Sequence, residues 1–246
     1  MSTLFTFGCS YTEDFHRFVG PTKDCDFISA QRKYIENNLD GKIPKSWPQL
    51  LSEKLGFELK NYGVGGISNY QIFEEICEHS NEFKNDDIVI VGWTHITRFR
   101  WAFNNGGWSS IFSDFTETTS ELMNEITHSE ILVNRTNKVY INELYQYQKL
   151  LEQFCKLLGV ELYFWSSDDD IIYKENKDFL NDKKYLLNNL LNNDNKRNLF
   201  NIINSNGGKT INEETNGEIP DNHLGESGHK VQAELFYNHI KNEYII

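Results

Sequence analysis

Four short runs rich in β-branched and aromatic residues, Leu4–Phe7, Glu58–Tyr62, Ile88–Gly92 and Val160–Trp165, alternate with longer stretches of helical periodicity. That alternation is the strongest constraint on the fold. The helical stretches are Trp47–Leu55, Asn69–Glu82, Ile141–Leu158 and Gly225–Asn242, with Gly56 and Gly159 placed where helix C-caps belong. Strands separated by helices predict a three-layer α/β/α sandwich around a central, mainly parallel sheet. Three strands end in small or polar residues: Gly8-Cys9-Ser10, Gly63-Val64-Gly65-Gly66 and Gly92-Trp93-Thr94. In such a sheet, ligands bind beyond the carboxyl ends of the strands, where these turns are expected.

Two stretches resist this pattern. Residues 101–135 mix Gly, Ser, Thr and aromatics without a clear period, and read as a long loop or insertion. The tract from Asn188 to Asn206 is dense in asparagine, whose side chain competes with helix by bonding to the local backbone, so an irregular surface is expected there. At 246 residues, 1–246 is read as one domain.

The chain carries 24 Lys+Arg against 36 Asp+Glu, a net charge of -12 that repels phosphate backbones and anionic lipid surfaces. Neither nucleic acid nor a membrane is an expected partner. Cys9, Cys25, Cys77 and Cys155 are scattered without a CxxC pair, which argues against a disulfide framework or zinc site. No apolar run approaches the length of a membrane span, and the start lacks the basic-then-apolar layout of a signal peptide. A cytoplasmic or virion-associated setting is expected.

Serine-dependent hydrolysis needs a hydroxyl on a sharp turn, an imidazole to take its proton, a carboxylate to orient the imidazole, and donors for the oxyanion. Gly8-Cys9-Ser10-Tyr11-Thr12 follows the first strand, and a glycine there would let the backbone turn so that Ser10 faces the crevice. Near the other end, Pro220-Asp221-Asn222-His223 stands just before the terminal helical stretch, followed by Gly228-His229.

Phe-Gly-Cys-Ser-Tyr-Thr at residues 7–12 resembles the first block of the SGNH (GDSL-like) hydrolases, with Gly8-Cys9-Ser10 in place of Gly-Asp-Ser. Ser46-Trp47-Pro48-Gln49-Leu50-Leu51 and Asn61-Tyr62-Gly63-Val64-Gly65-Gly66-Ile67-Ser68-Asn69 resemble the second-block region. The resemblance implies Ser10 as nucleophile, His223 as base, Asp221 as its carboxylate, and the backbone N–H groups of Ser10 and Gly66 as oxyanion donors. The third block usually reads Gly-x-Asn, whereas this chain has Gly92-Trp93-Thr94-His95. Thr94 stands in the asparagine's place as oxyanion donor, with His95 or Asn69 as substitutes. The last block departs too, since Asp221-Asn222-His223 is one residue shorter than the family's usual Asp-x-x-His. His229 is read as structural. No cofactor is implied, and residues 100–215 are unmatched.

Several features have plainer explanations. Cys9 beside Ser10 fits a small buried hydrophobe better than a nucleophile. Asp168-Asp169-Asp170 could hold a divalent cation, but a solvated loop with a helix N-cap is the simpler reading. His16, His79, His128 and His239 lack partners at ligand spacing. Trp93, Arg98 and Trp101 follow the third strand, where they would line a substrate pocket or pack at the sheet edge; Asn69 and His95 join Trp93 and Arg98 as expected substrate contacts.

The leading expectation is a serine esterase acting through an acyl-enzyme, removing short acyl groups from a carbohydrate or other small ester. The alternative is a glycan-binding or structural protein, such as a phage component, that keeps this fold with weakened catalysis. Acyl transfer to an acceptor other than water uses the same triad.

Overall fold

The structure, a computed structural model, describes residues 2–15, 26–96, 98–102, 108–112, 137–167, 184–187 and 199–243. In chain order these form β1 (Thr3–Gly8), α1 (Asp26–Asn38), α2 (Trp47–Leu55), β2 (Glu58–Gly63) and α3 (Asn69–His79), which runs on as a 3-10 turn over Ser80–Glu82. There follow β3 (Ile88–Trp93), β4 (Arg98–Ala102), β5 (Trp108–Phe112), α4 (Asn137–Leu158), β6 (Glu161–Ser166), α5 (Leu199–Ser205), α6 (Ile211–Glu214) and α7 (Glu226–Glu243).

The four expected strands make one parallel sheet in the order β2-β1-β3-β6. Tyr185 bridges Phe164 in parallel and extends the β6 edge. All six residues of β3 are buried, as expected of a Val/Ile run covered on both faces. Side chains alternate between those faces. On one, Phe5 and Phe7 meet Phe83 at 4.7 and 6.1 Å, and Phe83 lies 6.5 Å from Phe154 of α4. On the other, Trp165 of β6 meets Trp47 of α2 at 6.0 Å and Phe236 of α7 at 6.1 Å. Helices therefore cover both sides, giving the three layers.

Because β2 lies to one side of β1 and β3 to the other, the end of β1 is a topological switch point. Gly8 pairs in register with Gly63 and with Gly92, so three glycines form one row across the sheet. Their role is close packing. A Cβ on Gly63 would lie 2.6 Å from the backbone of Thr12 and Glu13, and one on Gly8 would lie 2.2 Å from Thr12 Oγ1. The turn after β1 folds back over that row. Gly8 is not among the positive-φ residues, which corrects the expectation that it serves conformational freedom.

The structure also adds elements that periodicity missed. Within residues 101–135, expected to be irregular, β5 pairs antiparallel with β4, Arg98 opposite Phe112. Helix α5 lies inside the asparagine-rich tract, and α1 occupies a segment the strand and helix signals left unmarked. Apart from Asn206, the rest of both irregular stretches lies outside the described residues.

Candidate active site

Ser10 stands two residues beyond β1, on a turn closed by Thr12 N–H and Glu13 N–H donating to Cys9 O at 2.8 and 3.1 Å. Cys9 is buried and Ser10 only partly so. Asn61 of β2 pins this turn: its Oδ1 accepts from Thr6 Oγ1 at 2.9 Å and Gly63 N–H at 3.0 Å. Its Nδ2 donates to Thr12 O at 2.9 Å and to Asp14 Oδ1 at 2.8 Å. Ser46, whose backbone N–H is capped by Gln49 Oε1 at 3.0 Å, turns its own hydroxyl to Asp14.

His223 Nε2 lies 2.8 Å from Ser10 Oγ, and its Nδ1 lies 2.6 Å from Asp221 Oδ1. A carboxylate only accepts, so Nδ1 carries the proton and Nε2 is left to accept from the serine hydroxyl. The one-residue-shorter spacing works because His223 N–H also donates to Asp221 Oδ1, at 2.9 Å, curling the carboxylate back toward the ring. Asp221 is buried, and its Oδ2 has no hydrogen-bond partner among the described residues.

Two groups that the sequence reading did not single out hold this loop. Asn212 N–H and Ile211 N–H, at the start of α6, donate to Asp221 O and His223 O, both at 2.8 Å. Glu214 at the end of α6 accepts from Ser227 N–H at 2.9 Å, from Ser227 Oγ at 2.5 Å and from the Tyr34 hydroxyl, which itself accepts from Glu226 N–H at 2.9 Å. Burial and Glu214 raise the Tyr34 pKa above the usual phenol range. The available signal was Thr210-Ile211-Asn212-Glu213, a capping box in which Glu213 Oε2 accepts from Thr210 N–H at 2.7 Å. Tyr11 was missed too: its ring stacks on the His223 imidazole with centroids 4.6 Å apart.

Gly66 is exposed with φ +81, a left-handed conformation that suits glycine. Neither the Ser10 nor the Gly66 backbone N–H has a hydrogen-bond partner among the described residues. Thr94 is wholly buried and its hydroxyl has no partner among the described residues. An oxyanion donor must lie within hydrogen-bond reach of substrate oxygen, so a hydroxyl sealed from solvent does not fit that role, and the expectation for Thr94 is corrected. Asn69 grips the Thr94 backbone instead, with Oδ1 accepting from Thr94 N–H at 2.8 Å and Nδ2 donating to Thr94 O at 3.1 Å. One amide hydrogen of Asn69 remains over.

Trp93 is also fully buried and stacks on Phe164 at 6.0 Å, which makes it core and not substrate surface. His95 is half-buried. Arg98 Nη1 donates to Ile67 O at 3.3 Å, beside the Gly66 turn, and burial lowers its pKa. His229 accepts from Trp47 N–H at its Nδ1, 3.1 Å away, and packs edge-on to Phe15 at 5.0 Å. Burial, with a smaller contribution from His223, lowers its pKa to about 3, so it stays neutral. Asp168-Asp169-Asp170, His16 and His128 lie outside the described residues, as do Cys25 and the Trp101 side chain. Among the described residues no cluster of three metal-ligating side chains occurs, and no helix is long and apolar enough to cross a membrane.

No family model and no curated protein matches the chain. Among solved structures it is similar to a G-D-S-L family protein from Desulfitobacterium hafniense at 12% identity, covering 97% of this chain and 99% of that one, with a TM-score of 0.48. It is also similar to a lipolytic protein of the G-D-S-L family from Veillonella parvula, at 12% identity, 96% of each chain and a TM-score of 0.43. A mutant acetyl-xylooligosaccharide esterase from Geobacillus matches at 15% identity over 97% of this chain and 94% of that one, with a TM-score of 0.43.

Proposed function

We propose that this chain is a serine ester hydrolase of the SGNH (GDSL-like) type. The observation that carries the reading is the hydrogen-bonded relay from Ser10 Oγ through His223 to Asp221, joined at 2.8 and 2.6 Å across 213 positions of sequence. His223 Nε2 takes the Ser10 proton as Oγ attacks the ester carbonyl, and Asp221 stabilises the imidazolium that forms. The backbone N–H groups of Ser10 and Gly66 receive the oxyanion, with the spare amide hydrogen of Asn69 as third donor. Collapse of the tetrahedral intermediate transfers the proton from Nε2 to the departing alcohol. Water activated by the same nitrogen then releases the acid from the acyl-enzyme. The substrate is a short acyl ester of a carbohydrate or another small alcohol.

Steady-state hydrolysis of p-nitrophenyl acetate by the purified chain tests this. Ser10→Ala is expected to lower kcat by at least about 10³-fold. Cys9→Ala is expected to retain activity. Absence of turnover by the unsubstituted chain on p-nitrophenyl acetate and on acetylated sugars would favour the binding-protein alternative.

A further inference from the structure

His223 is held at both ring nitrogens, and one face of its ring is covered as well. The hydrogen bonds at Nδ1 to Asp221 and at Nε2 to Ser10 grip opposite edges of the imidazole, which leaves rotation about the line joining them to be limited by packing. Tyr11 supplies that packing. Its ring lies on the imidazole with centroids 4.6 Å apart and planes 27° from parallel. The half-buried tyrosine is itself fixed from two sides. Trp47 Nε1–H donates to Tyr11 O at 2.9 Å, and Phe200 of α5 meets the Tyr11 ring in an edge-to-face contact at 5.2 Å.

The face of an aromatic ring carries negative charge density and attracts a cation placed within about 6 Å of its centroid. His223 becomes such a cation only when it takes the Ser10 proton, so a ring stacked on it favours the transition state over the resting enzyme. We propose that Tyr11 is a positioning residue for the base: its ring keeps the imidazole plane in line with Ser10 Oγ and stabilises the imidazolium formed at each proton transfer. It needs no contact with the substrate to do so. This rests on the esterase reading. The other titratable groups around the imidazole are Asp221 at Nδ1 and, across the notch that Ser10 and His223 line, Glu13 and His229. All three remain when Tyr11 alone is replaced, so a change in the titration of the base then reports the stacked ring.

The test is the rate of p-nitrophenyl acetate hydrolysis from about pH 5 to 8, the range in which a histidine base titrates. Tyr11→Leu is expected to lower kcat by about three- to thirty-fold with KM nearly unchanged. It is also expected to move the acid limb of kcat/KM to lower pH by about half a unit or more, because an imidazolium without the ring loses its proton more readily. Tyr11→Phe, which keeps the ring face, is expected to recover most of the rate and to return the limb. Loss of packing alone would lower kcat or Tm and leave the limb in place. Should Tyr11→Leu not fold, Tyr11→Met takes its place with the same expected results. An unchanged kcat, an unmoved acid limb, or a loss that Tyr11→Phe shares in full would each overturn the role of Tyr11 and leave the esterase reading standing. Failure of the unsubstituted chain to hydrolyse both p-nitrophenyl acetate and acetylated sugars would remove both.

Discussion

Asn69 and Thr94 show how one side chain can inherit a sequence position without its chemistry. Thr94 follows the third strand where an oxyanion asparagine is expected, yet its hydroxyl is sealed in, while the Asn69 amide brackets its backbone from the start of α3. Thr94→Val is therefore predicted to leave kcat within about two-fold, and to hold or raise the denaturation midpoint by removing an unpaired buried hydroxyl. Under the proposed role of Asn69 as an oxyanion donor, Asn69→Ala is predicted to lower kcat by about 10²–10³-fold, with some loss of stability from the freed Thr94 backbone. Steady-state kinetics and urea denaturation of both variants separate these outcomes. Ser10, Asp221, His223 and Gly66 were legible as candidates because each sits in a short motif beside a strand end or helix start. The burial of Thr94 and Trp93 was not, because it depends on neighbours such as Phe164 that sequence order does not supply.

Among the elements, those with strong period were read nearly to the residue: α2 spans Trp47–Leu55 as expected, and α7 begins one residue later than expected. The hairpin of β4 and β5 was not, because RFRWA and WSSIF lie among mixed Gly, Ser, Thr and aromatic residues without a clear period, nor were the short helices α5 and α6, whose seven and four residues are too few to display a helical period. Yet α6 matters most to the site, because its first N–H groups hold the Asp221 and His223 carbonyls and Glu214 clamps the start of α7. Glu214→Ala leaves the Ser227 N–H and hydroxyl and the Tyr34 hydroxyl without their acceptor. It is predicted to cost about 2–4 kcal/mol in urea denaturation and to lower kcat, as the His223 loop loses its support. An unchanged midpoint would show that the clamp contributes nothing.

For the molecule as a whole, the four strands of the central sheet and their parallel pairing followed from the alternation of apolar runs, while the strand order that makes β1 the switch point emerged only from three-dimensional pairing. The same packing buries His229, whose pKa of about 3 lies below the ordinary histidine value of about 6.5. Between those values the unfolded chain binds a proton that the folded chain excludes, so stability is full above about pH 6.5 and falls as pH drops toward 3. The slope from this group is up to about 1.4 kcal/mol per pH unit, and His229→Gln is predicted to flatten it in denaturation midpoints measured from pH 7 to 4. The central claim is that Ser10 is a nucleophile activated by His223. Its most direct measurement is mass spectrometry after treatment with a fluorophosphonate. The predicted result is a single adduct on the Ser10 peptide, formed equally in Cys9→Ala, lost in Ser10→Ala and greatly slowed in His223→Ala. An adduct on Cys9 or elsewhere, with Ser10 unmodified while esters are still hydrolysed, would contradict it.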